Sequence, residues 1–94
     1  MDRDEVHELL VKAIAEIQRQ SGRSVDKLDD EIRPASDLDG FDSLNSEEVT
    51  VMLLEDLVFE DDLNPFEGDD GAALTIGQIA DRLAKISKRK EKVS

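Results

Sequence analysis

Apolar residues recur at the spacing of one helical face near both ends of the chain, and this periodicity limits the fold more than any other feature. Near the N-terminus the pattern is i, i+3, i+4, i+7, and Ser21-Gly22 supplies a stop signal. Near the C-terminus Thr75 is a good N-cap for a similar stretch. We therefore predict an amphipathic helix at each end. The two apolar faces contain Val6, Leu9, Leu10, Ala13, Ile14 and Ile17, and Ile76, Ile79, Ala80, Leu83 and Ile86.

A third main helix is predicted between these two, from Asp42-Ser43 to about Val58. Asp42 is a good N-cap, and acidic residues follow in the first turns, where the positive end of the helix dipole favours them. The apolar residues of this helix form two stripes. One stripe suffices for a core, and the other either lines the interior or forms an exposed contact surface. The first stripe contains Val49, Met52, Leu53 and Leu57, and the second contains Leu44, Val51, Leu54 and Val58.

The connections contain the residues that break helices. Residues 22–41 lose the periodicity and include Pro34 and Gly40, so they are predicted to form a long first loop with room for a short turn of helix. Residues 60–71 are acidic and include one proline and two glycines, which permits one short helical turn at most.

The expected fold class is all-α, a small bundle of three main helices and one short helix with a long first loop. We predict a single domain over residues 1–87. Residues 88–94 are basic and lack apolar periodicity, so we expect a flexible basic tail there.

The charge of the chain restricts its partners. Twelve basic residues against 24 acidic ones give a formal charge of −12, which repels nucleic acids and attracts basic protein surfaces. There is no cysteine, which excludes disulfide scaffolds, zinc ribbons and cysteine nucleophiles. No apolar run approaches the roughly 20 residues needed to span a bilayer. We expect a cytoplasmic monomer with no membrane insertion.

Few residue patterns in the sequence indicate a catalytic or a metal site. The only histidine is His7, and no G-x-S-x-G turn surrounds any serine, so a nucleophilic serine lacks a base. The acidic stretch from Asp37 resembles a calcium loop at first sight. Its fifth position is Phe41 and its glycine falls fourth, so the ligand spacing fails. We predict neither an enzyme nor a metal-binding protein.

The remaining chemical signal is Gly40-Phe41-Asp42-Ser43-Leu44, which places a serine in the first turn of a helix after a glycine-bearing loop. A phosphodiester on the oxygen of Ser43 would meet unpaired backbone N–H groups and the positive end of the helix dipole. The alternative interpretation is that Asp42 and Ser43 only cap the helix.

Asp42-Ser43-Leu44 resembles the D-S-L motif of the acyl carrier protein family, which lies at the start of the second of four helices after a long first loop. Ala35-Ser36-Asp37-Leu38 is similar to the stretch that commonly precedes this motif, and Thr75-Ile76-Gly77-Gln78-Ile79 to the start of the last helix. The resemblance covers roughly residues 4–86. It implies a four-helix bundle of the acyl-carrier-protein type.

By this resemblance Ser43 is the attachment site of 4'-phosphopantetheine, which a phosphopantetheinyl transferase takes from coenzyme A, and Asp42 and Leu44 complete the cofactor-binding motif. The resemblance implies a non-catalytic carrier that holds acyl groups as thioesters. Phe41 before the motif is similar to carriers of specialised pathways, whereas Asn45 after it stands where carriers of primary fatty-acid synthesis usually have an acid. The expected pathway is therefore a specialised fatty-acid, lipid or polyketide pathway. Two alternatives stay open, an aminoacyl or peptidyl carrier protein and an unmodified acidic protein-interaction module.

The resemblance also implies that partner enzymes dock on the helix that begins at Ser43. The residues argue for the same surface, because an apolar strip bordered by acids lies near one side of this helix. The expected partners are acyl-activating, condensing or acyltransferase enzymes with basic docking surfaces that bind weakly and release quickly. The predicted docking residues are Leu44, Glu47, Glu48, Val51 and Glu55.

Overall fold

The computed structural model of the protein describes residues 2–22, 28–38, 40–59, 65–68 and 71–89, and the side chains of Ser43 and Arg89 lie outside this description. Most of this part of the chain is helical, as predicted. It contains the helices α1 (Arg3–Gln20), α2 (Pro34–Asp37), α3 (Ser43–Leu54) and α4 (Ile76–Ile86), and the strands β1 (Leu57–Val58) and β2 (Lys88–Arg89).

Helix α1 is the centre of the fold, because it packs against both α3 and α4. The predicted apolar faces meet in one core, and the side chain of Leu10 in α1 and that of Leu83 in α4 are fully buried. Ile86, which was predicted on the inner face of α4, is 45% exposed because α4 ends there. The buried apolar residues of the three long helices are Val6, Leu10, Ala13, Ile14, Ile17, Val49, Leu53, Ile76, Ile79, Ala80 and Leu83.

The predicted helix caps at Asp42 and Thr75 are confirmed. The carboxylate of Asp42 accepts a hydrogen bond from the backbone N–H of Asn45 at 3.0 Å. Thr75 and Gln78 form a reciprocal capping box, in which the hydroxyl of Thr75 accepts from the Gln78 N–H at 3.1 Å and the Gln78 amide oxygen accepts from the Thr75 N–H at 2.9 Å. These caps satisfy backbone N–H groups that a helix leaves without an internal acceptor.

Helix α3 ends at Leu54, and the prediction that it reaches Val58 is wrong. The N–H of Glu55 donates to the Met52 carbonyl at 3.2 Å, and the chain then turns into β1. Strand β1 pairs antiparallel with β2, and Val58 lies opposite Lys88. Pairing with a distant segment therefore overrides the local helical pattern at the end of α3.

Lys88 and Arg89, the first two residues of the predicted basic tail, form β2. Ser87 turns the chain out of α4 with extended backbone, and its N–H donates to the Leu83 carbonyl at 2.8 Å. This turn brings β2 beside β1. The rest of the predicted tail, residues 90–94, lies outside the described residues.

The first connection contains the short helix α2, the turn of helix for which the sequence left room. Residues 28–32 of this connection pack against the start of α4, where the Ile76 N–H donates to the Ile32 carbonyl at 2.8 Å and the Gly77 N–H donates to the Asp30 carbonyl at 3.1 Å. A Cβ atom on Gly77 would lie 3.2 Å from the Cβ of Asp30, so only glycine permits this approach without adjustment. Residues 23–27 and 39 of the predicted loop lie outside the described residues.

An ionic cluster joins the same connection to α1 and α4. Arg3 contacts Asp30 at 3.2 Å and also pairs with Asp81, while the Nε2 atom of His7 lies 2.5 Å from Oδ1 of Asp30. The hydrogen bond from the Arg3 guanidinium, with a smaller contribution from His7, lowers the pKa of the Asp30 carboxyl. His7 is thus part of a structural cluster.

The second connection is held by a short ladder. Glu67 forms an antiparallel bridge with Ala73, and the Gly68 N–H donates to the Ala72 carbonyl at 2.9 Å. Residues 65–68 contain no helix, which agrees with the predicted loop, whereas residues 60–64 and 69–70 lie outside the described part. No helix in the described residues is both long and apolar enough to cross a membrane.

Candidate functional site

The candidate site is the start of α3, where Ser43 is the first helical residue. Gly40 has a positive φ of 70°, a conformation in which glycine avoids the penalty of a side chain. The N–H of Phe41 then donates to the Leu38 carbonyl at 3.2 Å, and Asp42 is extended with φ −105° and ψ −172°. The backbone therefore turns at Gly40 and enters the helix at Ser43.

The backbone at this helix end suits a phosphate group. The first N–H groups of an α-helix have no acceptor within the helix, and the positive end of the helix dipole adds to their attraction for anions. The carboxylate of Asp42 is engaged with the N–H of Asn45 at 3.0 Å, one turn further along. The N–H groups of Ser43 and Leu44 have no partner within α3 and are the ones that a phosphate on Ser43 would meet.

All five predicted docking residues are exposed: four lie on α3, and Glu55 follows its last residue directly. The side chains of Leu44 and Val51 are 60% and 61% exposed. Three exposed acids, Glu47, Glu48 and Glu55, lie around them. Leu44 and Val51, two members of the second apolar stripe, therefore lie on the surface rather than in the interior.

The first apolar stripe forms part of the core, and the sequence predicted this for one of the two stripes. Val49 and Leu53 are buried, and so is Leu57, which belongs to β1. Of the second stripe, Val58 is also exposed, at 53%, while Leu54 is half-buried.

An open groove of about 490 Å³ runs along the docking residues, and α1 forms part of it. Ile17 and Gln20, near the C-terminal end of α1, line this groove together with Met52 of α3. The sequence did not indicate the contribution of α1, because that contribution depends on how α1 packs against α3. The other lining residues are Leu44, Glu47, Glu48, Val51 and Glu55.

A second cavity of about 240 Å³ lies between α1 and α3 next to the groove, and Met52 and Glu55 line both. Its apolar wall is formed by Leu9, Ala13 and Leu53 in addition to Met52. Its charged lining residues are Lys12, Glu16, Glu55 and Asp56.

Asn45, which follows Asp42-Ser43-Leu44, is buried with only 7% of its surface exposed. Ser46 and Thr50 are also buried, and the Thr50 hydroxyl donates to the Ser46 carbonyl at 2.8 Å. Periodicity of apolar residues does not detect this polar part of the inner face of α3. Hydroxyl and amide groups can occupy it because hydrogen bonds offset the cost of burial.

The single histidine and the acidic side chains are the other candidates for a chemical site. The imidazole of His7 contacts Asp30, in the ionic cluster at the other end of the first connection. Within the described ranges, no group of three or more His, Asp or Glu side chains could hold a metal ion.

Comparisons with protein-family models, with curated proteins and with solved structures found no match to this chain. The interpretation of the site therefore depends on its own residues, backbone geometry and surface.

Proposed function

We propose that the protein is a carrier whose Ser43 receives phosphopantetheine from coenzyme A and which delivers acyl groups to partner enzymes. The observation that supports this most is the position of Asp42-Ser43-Leu44, at a capped helix start that adjoins an exposed apolar and acidic face. The chain itself performs no catalysis in this proposal, and it acts as a cytoplasmic monomer.

The modification is a phosphoryl transfer in which Ser43 is the nucleophile. The oxygen of Ser43 forms a bond to the phosphorus next to the pantetheine moiety, and the bond from this phosphorus to the bridging pyrophosphate oxygen breaks. Adenosine bisphosphate leaves with the bond electrons, and the proton of Ser43 passes to a base of the transferase. When attached, the arm supplies a thiol that carries acyl groups as thioesters. The backbone N–H groups of Ser43 and Leu44 then stabilise the charge of the phosphodiester.

The groove beside α3 serves as the docking surface for the partner enzymes. A partner that presents apolar side chains flanked by Lys or Arg complements Leu44 and Val51 and the three surrounding glutamates. The matching enzymes are the transferase and acyl-activating, condensing or acyltransferase enzymes. Charge attraction of this kind speeds association, and the small area allows release after each delivery.

The direct test is incubation of the purified protein with coenzyme A, Mg²⁺ and a broad-specificity phosphopantetheinyl transferase. We expect a mass increase equal to one phosphopantetheine group, and none in Ser43→Ala. Ser36→Ala is the matched control, since Ser36 is an exposed serine of α2, and it should be modified like the wild type. A folded wild-type protein that keeps its original mass contradicts the proposal.

The cargo is tested separately. Loading assays with acyl-activating enzymes and with aminoacyl-adenylating enzymes should favour the acyl group. Preferential aminoacylation would identify an aminoacyl or peptidyl carrier instead.

The exposed groove also supports a second candidate, an acidic interaction module that is never modified. This module would bind its partner equally well as wild type and as Ser43→Ala, and intact mass spectrometry of the protein from its native host would find no added group. A phosphopantetheine mass on the native protein would exclude this candidate.

A further inference from the structure

Two buried phenylalanines join the second connection to the residue before the Asp42 cap. The ring centroids of Phe41 and Phe66 lie 5.5 Å apart with an interplanar angle of 53°. Their side chains are 5% and 1% exposed. Tilted aromatic pairs at this distance are favourable beyond the area that they bury. Phe41 is therefore held in the core by a residue that follows it by 25 positions in the sequence.

The position of Phe66 is itself fixed from two sides. The Leu74 N–H donates to the Phe66 carbonyl at 2.9 Å, which closes the short ladder of the second connection. The guanidinium of Arg82 in α4 donates to the Glu67 carbonyl at 2.7 Å. Helix α4 and the ladder thus hold the ring of Phe66 in place against Phe41.

Few rotatable bonds separate Phe41 from the reacting residue. Asp42 follows Phe41 directly, and with extended backbone at Asp42 its carboxylate accepts from the Asn45 N–H at 3.0 Å. Ser43 follows Asp42. A ring that anchors Phe41 therefore limits the directions in which the backbone of Ser43 can lie.

We propose that Phe66 is a positioning residue for the modification of Ser43, acting through Phe41 and the Asp42 cap. This inference rests on the proposed function. It predicts that the segment around residues 65–68, which carries no docking residue, influences the rate of phosphopantetheine transfer at a helix start elsewhere in the sequence.

The test compares Phe66→Leu with the wild type in steady-state transfer from coenzyme A, at a temperature where circular dichroism finds both folded. Leucine keeps the site apolar but removes the ring contact. We expect kcat to fall about ten-fold, because small misplacement of a reacting group has effects of this size or larger. KM for the carrier should stay within about two-fold, since the groove on α3 is unchanged. A variant that bound the transferase more weakly would instead show a raised KM with kcat unchanged.

Two further variants separate positioning from a general loss of stability. Ile14→Val shortens a fully buried side chain of α1 and should leave kcat and KM unchanged. Phe41→Leu should match Phe66→Leu, and the double variant should be no slower than either single one, because both remove the same contact. The proposal would be overturned if the two losses of kcat multiplied in the double variant, or if Phe66→Leu had the kcat of the wild type.

A second measurement does not depend on modification. In Phe66→Leu, the amide hydrogens of Asn45 and Ser46, which are bonded to oxygens of Asp42, should exchange about ten-fold faster. Those in the middle of α4 should change less, because the opening is local. Equal acceleration in both helices would mean that Phe66 only stabilises the whole fold. If the wild-type protein is never modified but the local acceleration is found, the function is wrong and the mechanical link between Phe66 and α3 stands.

Discussion

At the scale of single residues, the start of α3 depends on a few short-range interactions. Asp42 caps the helix through one side-chain hydrogen bond to Asn45, and Gly40 permits the turn that precedes it. These features are local in sequence, which is why the cap could be predicted from residue types alone. The burial of Asn45 could not, because an amide side chain three positions after an N-cap is compatible with either face of a helix.

Asp42→Ala tests the cap. Loss of the hydrogen bond to the Asn45 N–H should lower the free energy of unfolding by about 1 kcal/mol. The variant should also be modified at Ser43 more slowly than the wild type. Urea unfolding followed by circular dichroism gives the first value, and the transfer assay gives the second. Asp42→Asn keeps a capping oxygen and should recover most of the stability. Equal stabilities of the alanine variant and the wild type would contradict the role of the cap.

At the scale of elements, the helices with clear apolar periodicity and local caps were predicted correctly, and the errors lie where distant segments meet. The end of α3 at Leu54 and the β1–β2 pairing depend on Val58 and Lys88, which lie opposite each other but are far apart in the sequence. The contribution of Gln20 to the docking groove depends on the packing of α1 against α3. Local patterns contain no information on such contacts.

The docking groove can be tested with two exposed valines. Val51→Lys places a cation in the acidic groove and should raise KM of the carrier for the transferase by about ten-fold, since it repels a basic partner at the centre of the contact. Val58→Lys is the matched control, because Val58 is similarly exposed but lies in β1 outside the groove. Val51→Lys should alter the free energy of unfolding by less than about 0.5 kcal/mol. Val58→Lys places a cation opposite Lys88 and should cost up to about 1 kcal/mol, so KM is compared at a temperature where both variants are folded. Similar KM values for the two variants would exclude the groove as the docking surface.

At the scale of the whole molecule, the large negative charge opposes compactness, and the cluster of Arg3, Asp30, His7 and Asp81 offsets part of this repulsion by joining three segments. Arg3 on α1 is its centre. Residue types alone do not predict this cluster, because its members are brought together only when the first connection packs against α1 and α4.

Asp30→Asn tests the cluster through its pH dependence. The pKa of Asp30 is lowered from its ordinary value of 3.8, so its ionised form stabilises the fold above about pH 4, and this contribution is lost as the pH falls through the lower, folded-state pKa. We expect the wild type to have the higher urea midpoint at pH 6, and the difference between the two proteins to shrink below pH 4. The control is Asp56→Asn, which removes an exposed carboxylate at the end of α3. A difference that is independent of pH would contradict the role of the ion pair.

The pairing of β1 with β2 sets the distance between Lys88 and the start of α3. It places Lys88 just beyond one end of a 12-residue helix, roughly 18 Å long, while Ser43 lies at the other end. Because the chain has no cysteine, Lys88→Cys offers one thiol for a dye before any other thiol is attached. Under the proposed function, a second dye transferred to Ser43 from a labelled coenzyme A would then report, by energy transfer in single molecules, how far the attached arm moves from residue 88 when a partner enzyme binds.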